Sequence, residues 1–322
     1  MTTRTERLLG DLRRDLREGG LFGSFLVRDL ETGDEIGIDP DIELPVASLV
    51  KIPLALVTLE RVRRGELDGA KVIEVPPGRI TTPGPTGLSR FRHAAHIAVE
   101  DLLYLSTCIS DNSAADALFE LTPPDEVGAV LHELGLRGIA VRHTMRELME
   151  TPVERFDPAD VHLAHALAID AGTPGRGHRV PQLDVSRANT GTARAFVDLL
   201  QALWQARPRT EDGPGTEDGA EPSAMAIHPD VAAQVRGFMA NNLVRNRLAP
   251  DFDSDASTWS SKTGMLLNLR HEVGVVEHAD GQSYAIAVLT ESRVAAGRQP
   301  GADALMGQVA RRLRDELRSR WI

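Results

Sequence analysis

The chain has 322 residues, 42% hydrophobic and 26% charged, an ordinary composition for a globular protein with a real core and a length suggesting about two lobes. Its 36 Lys and Arg against 47 Asp and Glu leave a net charge of −11, whose field repels phosphate and argues against nucleic acid or an anionic membrane as partner. One cysteine, Cys108, excludes an intrachain disulfide and a cysteine-rich zinc site.

Residues 4–18 carry Leu8, Leu9, Leu12 and Leu16 at helical spacing, and Gly19-Gly20 stop that helix. This start is amphipathic and charged rather than a basic tip before an apolar signal core, so the chain as given reads as cytoplasmic; a preceding export segment would make it secreted. Phe22–Leu30 and Glu35–Asp39 are β-type runs around a Gly-containing turn, a hairpin. From Pro45 a long helical pattern runs to Arg64 and stops near Gly65, with Pro53 early in it, where a missing amide proton is tolerated best. Its apolar stretch around Leu49–Leu59 is interrupted by Lys51 and falls far short of the roughly 20 residues that span a bilayer. Pro76–Gly87 is a Pro-, Gly- and Thr-rich loop. Val99–Leu105, Asn112–Leu121, Val127–Leu134 and Asp160–Ala171 read as successive helices. Arg207–Pro222 repeats Thr-Glu-Asp-Gly among Pro, Gly and acid; with nothing to bury, it reads as a mobile surface loop. A helical pattern resumes over Pro229–Asn242. Strand-like runs follow at Trp259–Thr263, Glu272–His278 and Ser283–Leu289, with Asp280-Gly281 turning the last pair, and Ala302–Leu317 closes the chain as an amphipathic helix.

Strands at both ends and helices between them predict an α+β fold: an antiparallel sheet flanked by the terminal helices, with an all-α lobe inserted. Residues 1–57 and 255–322 would form the sheet lobe, and 58–254 the helical lobe carrying the acidic loop 207–222.

Three short motifs could carry chemistry. In Ser48-Leu-Val-Lys51 the i to i+3 spacing puts a hydroxyl and an amine on one helical face. A serine becomes a nucleophile when a base takes its proton, and a lysine serves if burial and nearby positive charge lower its pKa. Leu49, Val50, Ile52 and Leu54 would supply the burial, and the helix N-terminus a potential that favours a developing oxyanion. Taken alone, the same letters describe an N-capping serine and a snorkelling lysine. Ser110-Asp111-Asn112 precedes the next helix and by itself reads as an N-cap cluster. Lys262-Thr263-Gly264 ends a β run: charge and hydroxyl can hold a carboxylate while the glycine lets a ligand lie against the backbone, or the strand simply enters a turn.

In this order and on three different elements, the motifs resemble those of the class A β-lactamase-like family of serine hydrolases, in the β-lactamase and penicillin-binding-protein superfamily. Asp29-Leu-Glu-Thr-Gly with Leu44-Pro-Val-Ala-Ser-Leu-Val-Lys is similar to that family's opening hairpin and nucleophile helix. Val99–Asp116 is similar to its second-motif helix, Asn189-Thr-Gly-Thr-Ala-Arg-Ala-Phe to the segment after its Ω-loop, and Arg270-His-Glu-Val-Gly-Val-Val to the strand after its third motif. The likeness covers about residues 22–320. It implies a β-lactamase/transpeptidase-like fold that needs no metal or cofactor, a small-molecule substrate carrying a carboxylate, and a monomer or small homo-oligomer. Ser48 would be acylated, Lys51 would accept or relay its proton, and Ser110 would pass a proton to the leaving atom. Asn112 would bind a substrate amide carbonyl, while Lys262, Thr263 and Gly264 hold the carboxylate. The backbone amides of Ser48 and Met265 would form the oxyanion hole, and Arg270 would be a second carboxylate-binding cation.

The chain also departs from that pattern. Hydrolytic members carry Glu-x-x-Leu-Asn on the Ω-loop, whose glutamate activates the deacylating water; here Met145-Arg-Glu-Leu-Met-Glu-Thr-Pro stands in that region. Glu147 is the nearest candidate and Glu150 the second, each with the alternative of a solvated or structural carboxylate. Met265-Leu266-Leu267 is bulkier than the small residues usual after the third motif, and no export signal is evident. These departures count against penicillin hydrolysis while leaving acyl transfer on Ser48 intact. His93-x-x-His96 and His162-x-x-His165 lack a zinc-protease acid and read as surface or capping histidines. Cys108 reads as packing. No Gly-x-Ser-x-Gly elbow or Gly-rich phosphate loop is present.

The leading expectation is therefore a serine hydrolase forming an acyl-enzyme on Ser48 with an amide, lactam or ester, with β-lactam breakdown and antibiotic resistance as what the resemblance implies. One alternative is a penicillin-binding-protein-like peptidase, esterase or transacylase with slow deacylation. Another is a non-catalytic ligand-binding homologue, against which the retained Ser48, Lys51, Ser110 and Lys262 speak.

Overall fold

The computed structural model describes residues 4–151, 161–170, 177–206, 226–295 and 298–319; the acidic loop expected at 207–222 lies outside the described residues. Helix α1 (Arg4–Glu18) leads into β1 (Leu21–Asp29), which turns back into β2 (Glu35–Ile38) as the expected hairpin. A short strand, β3 (Leu44–Pro45), and a 3-10 turn (Ala47–Val50) precede α2 (Lys51–Arg63). The helical pattern read from Pro45 onward is thus split, and the true α-helix starts at Lys51. Two strands that the sequence reading did not find, β4 (Val72–Val75) and β5 (Ala95–Ala98), pair on either side of the short helix α3 (Gly78–Thr81).

The expected helices follow as α4 (Val99–Cys108), α5 (Asn112–Leu121) and α6 (Pro124–Glu133). Next come β6 (Ile139–Ala140), α7 (Met145–Met149), α8 (Val161–Asp170), β7 (Thr190–Gly191) and α9 (Ala193–Trp204). Helices α10 (Pro229–Ala240) and α11 (Ala249–Phe252) lead into β8 (Ser257–Leu266), β9 (Leu269–His278) and β10 (Ser283–Ser292), and α12 (Pro300–Arg318) closes the described chain. The strands read as five to seven residues are ten each, because β8, β9 and β10 pair along their whole length.

The fold is α+β, with a five-stranded antiparallel sheet in the order β2-β1-β10-β9-β8. Alternation along β10 sends Tyr284, Ile286 and Val288 to one face and Ala285, Ala287 and Leu289 to the other, as a period of two requires. The first face is covered by the terminal helices through Leu12 and Leu16 of α1 and Met306, Val309 and Leu313 of α12. The second meets Phe196, Leu199, Leu200 and Leu203 of α9 and a continuous apolar core built from α2, α4, α5 and α10. Helix α2 is central there: every residue from Lys51 to Glu60 is buried, so it carries little amphipathic pattern. The chain leaves the sheet after Ile38 and returns at Ser257, making β8 an edge strand beside the 3-10 turn that holds Ser48.

Candidate active site

Ser48 lies half-buried in the 3-10 turn Ala47–Val50. Ala47, just before it, has φ +48°, a left-handed backbone that a residue with a Cβ adopts at a cost and that is stored where surrounding packing holds it. Two features fix the turn. Gly264 of β8 lies so close that a Cβ there would stand 2.8 Å from the Val46 carbonyl oxygen. His271 of β9 reaches the Pro45 carbonyl through Nε2 at 2.9 Å and receives the Thr290 amide on Nδ1 at 3.1 Å. Burial pushes the His271 pKa down to about 4, so the ring is neutral, Nε2 donates and Nδ1 accepts.

Lys51 is fully buried. Its ammonium has three hydrogens, and Nζ has three acceptors: the Ser110 carbonyl at 2.7 Å, Asn112 Oδ1 at 2.8 Å and Ser110 Oγ at 3.3 Å. None of these bonds goes to Ser48. Burial lowers the Lys51 pKa to about 7, against the opposing pull of Asp111 and Asp116. Lys262, also fully buried, donates to Ser110 Oγ at 2.9 Å and to the Thr263 carbonyl at 3.0 Å. Burial first, then the neighbouring Lys51 and Arg247, hold its pKa well below the ordinary lysine value.

Ser110 Oγ is therefore approached by both lysines, which leaves its own proton free to be donated. Its backbone is left-handed, φ +59°. The cap function of this motif belongs to Asp111 alone: its carboxylate accepts from the Ser113 and Ala114 amides at the start of α5. It also accepts from the Leu88 amide at 2.5 Å and Ser89 Oγ at 2.8 Å. With capping assigned to Asp111, Ser110 and Asn112 face a cleft of about 450 Å³.

Ser48, Ser110, Asn112 and Thr263 line that cleft together, with Lys51 and Lys262 behind them. Much of the remaining wall is apolar: Met145, Leu148 and Met149 of the α7 segment on one side, Met265, Leu266 and Leu267 on the other. Glu147 and Arg270 are not brought in. Glu147 is exposed and closes the α7 capping box, accepting the Thr144 amide at 2.8 Å; Glu150 is exposed as well. The start of α7 is anchored by Asp116 Oδ1, which accepts the Met145 amide at 2.7 Å and so presents Met145 to the cleft. Arg270 is buried beside Asp303 and lines an adjoining cavity, whereas Arg247, not singled out from sequence, lines both. His165 corrects the surface-histidine reading: it is 8% exposed and lines the cleft.

Sequence reasoning also missed the groups under β8 and β9. Glu272 is buried and accepts from Trp259 Nε1 at 2.8 Å, Ser261 Oγ at 2.7 Å and the Leu248 amide at 2.8 Å. Their only sequence signal was polar letters inside an otherwise apolar strand. Cys108 is buried, donates to the Phe238 carbonyl at 3.2 Å and has its thiol pushed up to about 11 by burial, which makes it poor chemistry. Among the described residues no group of three or more His, Cys, Asp or Glu could hold a metal ion, and no helix is long and apolar enough to cross a membrane.

The model of a beta-lactamase enzyme family matches residues 11–317. The chain is 70% identical over 314 residues, 98% of each protein, to the beta-lactamase regulatory protein BlaB of Streptomyces cacaoi. Among solved structures, a beta-lactamase from Chitinophaga pinensis superposes with a TM-score of 0.72 at 16% identity, covering 97% of this chain and 99% of that one. TLA-1 extended spectrum beta-lactamase gives 0.73 at 15%, over 98% and 99%, and PBP-A gives 0.71 at 16%, over 97% and 96%. At these identities the structures speak for the fold.

Proposed function

The chain belongs to the beta-lactamase enzyme family, and we propose that within it the protein is a serine acyl acceptor that forms an acyl-enzyme on Ser48 with an amide, lactam or ester and releases it slowly. The observation that carries this reading is a single cleft holding Ser48 and a Ser110 hydroxyl bonded to two buried lysines. Neutral Lys51, reaching back across one turn, takes the Ser48 proton as Oγ attacks the carbonyl carbon. The carbonyl electron pair moves to oxygen, where the Ser48 amide and the Met265 amide of the edge strand stabilise it, each such donor being worth about 3–4 kcal/mol. As the C–N or C–O bond breaks, Ser110 protonates the leaving atom and is reprotonated by Lys51, along contacts already made. Lys262 and Thr263 hold a ligand carboxylate.

Release then needs a base for water. The α7 side of the cleft offers Met145, Leu148 and Met149 there, while Glu147 faces solvent. A persistent adduct suits a protein that reports a ligand rather than destroys it, in keeping with a close relative named as regulatory. Intact-mass spectrometry after incubation with penicillins and activated esters tests this. The expected result is a stable adduct that is absent in Ser48→Ala; no adduct with any acylating probe overturns the reading, and rapid turnover without accumulation overturns its slow-release half.

A second reading is favoured by one specific observation: all three Lys51 bonds go to Ser110 and Asn112 and none to Ser48. A non-covalent ligand sensor would keep the cleft and need no proton transfer. Binding that leaves the ligand chemically unchanged and survives Ser48→Ala would establish it.

A further inference from the structure

His165, on α8, lines the cleft and has no part in the acyl-transfer scheme. Its side chain is more than nine-tenths buried, it lines the same cavity as Ser48, and its Nδ1 is buried without a hydrogen-bond partner. Leaving a buried polar atom unpaired is unfavourable, so one that borders a ligand-sized cleft is placed to be satisfied by what enters it. Arg247, 4% exposed, lines the same cleft and likewise has a buried Nε without a hydrogen-bond partner, but its charge faces Asp303, 3.4 Å away, and its NH1 is spent on the His271 carbonyl. Burial and the field of Arg270 lower the His165 pKa, so the ring is neutral and offers one hydrogen bond rather than a charge. Much of the cleft's remaining wall is carbon and sulfur: Ile109, Met145, Leu148, Met149, Val244 and Leu267. Few buried apolar walls are better suited to varied shapes than one rich in methionine.

Resting on the acyl-acceptor reading, we infer that His165 is a specificity-determining residue and that the ligand is an acyl compound with an apolar body carrying one neutral hydrogen-bonding group, an amide or hydroxyl, that pairs with the imidazole. The acyl carbonyl sits at Ser48, the hydrocarbon lies against the α7 segment and Met265–Leu267, and the polar group satisfies His165. His165 makes no bond to the reacting atoms in this scheme; it selects.

The test uses p-nitrophenyl esters of acetic acid, octanoic acid and octanoic acids bearing one hydroxyl at successive carbons, with Ser48 acylation followed by released nitrophenol and mass. Octanoate should acylate at least tenfold faster than acetate, since each buried methylene is worth about a factor of three to four. One hydroxy isomer should match or exceed octanoate. In His165→Phe that isomer should lose about fivefold relative to octanoate, the other isomers keeping their ranking, and His165→Asn should restore part of the loss. Met265→Ser, at a position 56% exposed where folding is not at risk, should shrink the chain-length preference. Acylation independent of chain length, or isomer ranking unchanged in His165→Phe, overturns the inference. If neither these esters nor penicillins acylate Ser48, the acyl-acceptor reading fails separately. Calorimetry of the matching hydroxyoctanamides on Ser48→Ala then decides: one isomer favoured, and that preference lost with His165→Phe, upholds the inference, and a flat ranking refutes it.

Discussion

Two ammonium groups meet at one hydroxyl oxygen in this protein, and that contact is tolerable only because both lysines part with protons easily. Lys51 has a pKa of about 7, set by burial, so it is half neutral at neutral pH and can accept a proton. Acylation should therefore rise with pH and level off above about 7, and Lys51→Met should lower it by about a hundredfold to ten-thousandfold, the range of a lost general base. Stability carries the same signature with a definite sign. The unfolded lysine titrates near 10.5, so between about 7 and 10.5 the unfolded chain binds more protons and stability increases with pH; below about 7 the burial penalty is present in full. Lys262, depressed in the same direction, adds to that slope. Denaturant unfolding at pH 6 and pH 9 should show a smaller pH dependence in Lys51→Met than in the wild type, with the variant relatively better off at pH 6. Glu147 gives the contrasting case. Because its carboxylate closes the α7 capping box, Glu147→Gln should leave adduct lifetime within about twofold and cost only about 0.5–1 kcal/mol on unfolding.

At the scale of elements, the cleft exists because the edge strand β8 presses against the turn carrying Ser48. Gly264→Ala should push a methyl group into the Val46 carbonyl and displace that turn by a few tenths of an ångström. Acylation should fall by about tenfold or more with little loss of secondary structure, read by stopped-flow kinetics beside circular dichroism. The elements that the sequence made plain were those with a strong single period or punctuation: α1, α5, α12 and the β9–β10 hairpin, whose Asp280-Gly281 turn stands where expected. The split between the 3-10 turn and α2 was not legible, since both repeat apolar letters at nearly the same spacing and Val50 and Lys51 at the junction are right-handed, while the left-handed Ala47 marks only where the turn begins. Helix α9 carried a readable signal in Phe196, Leu199, Leu200 and Leu203, hidden by the loop residues that precede it. The three motifs were readable because their letters and their order match a family pattern. The wall facing them was not: which of Arg247 and Arg270 borders the cleft, and whether His165 turns inward, depends on how α8, α12 and β9 pack. The structural alternative read for Glu147 has a local cause, for Thr144-Met-Arg-Glu147 is itself a capping-box sequence and local hydrogen bonding engages the carboxylate.

Across the whole molecule, one buried histidine ties the sheet to the turn that carries Ser48. His271 on β9 bonds to β10 through the Thr290 amide and to the segment before Ser48 through the Pro45 carbonyl, so the sheet's integrity and the position of Ser48 depend on the same neutral ring. Its folded pKa of about 4 lies below the 6.5 of the unfolded chain, so as pH falls from 6.5 the unfolded state takes up the proton first. The stability His271 contributes is fully present above 6.5 and is lost progressively as pH falls toward 4, about 3 kcal/mol in all. His143, His165 and His278 shift in the same direction and steepen the fall. His271→Gln isolates the contribution: an amide can keep one of the two bonds yet cannot titrate. The variant should be about 1–3 kcal/mol less stable at pH 7.5, where a bond is lost, and should lose less on acidification, so that the two unfolding curves converge toward pH 4. Acylation of Ser48 in the variant should be impaired even at pH 7.5, because the turn has lost its tether. Parallel unfolding curves from pH 7.5 to pH 4, or full acylation by the variant, would show that the ring is neither the acid-sensitive joint nor the link between the sheet and the cleft.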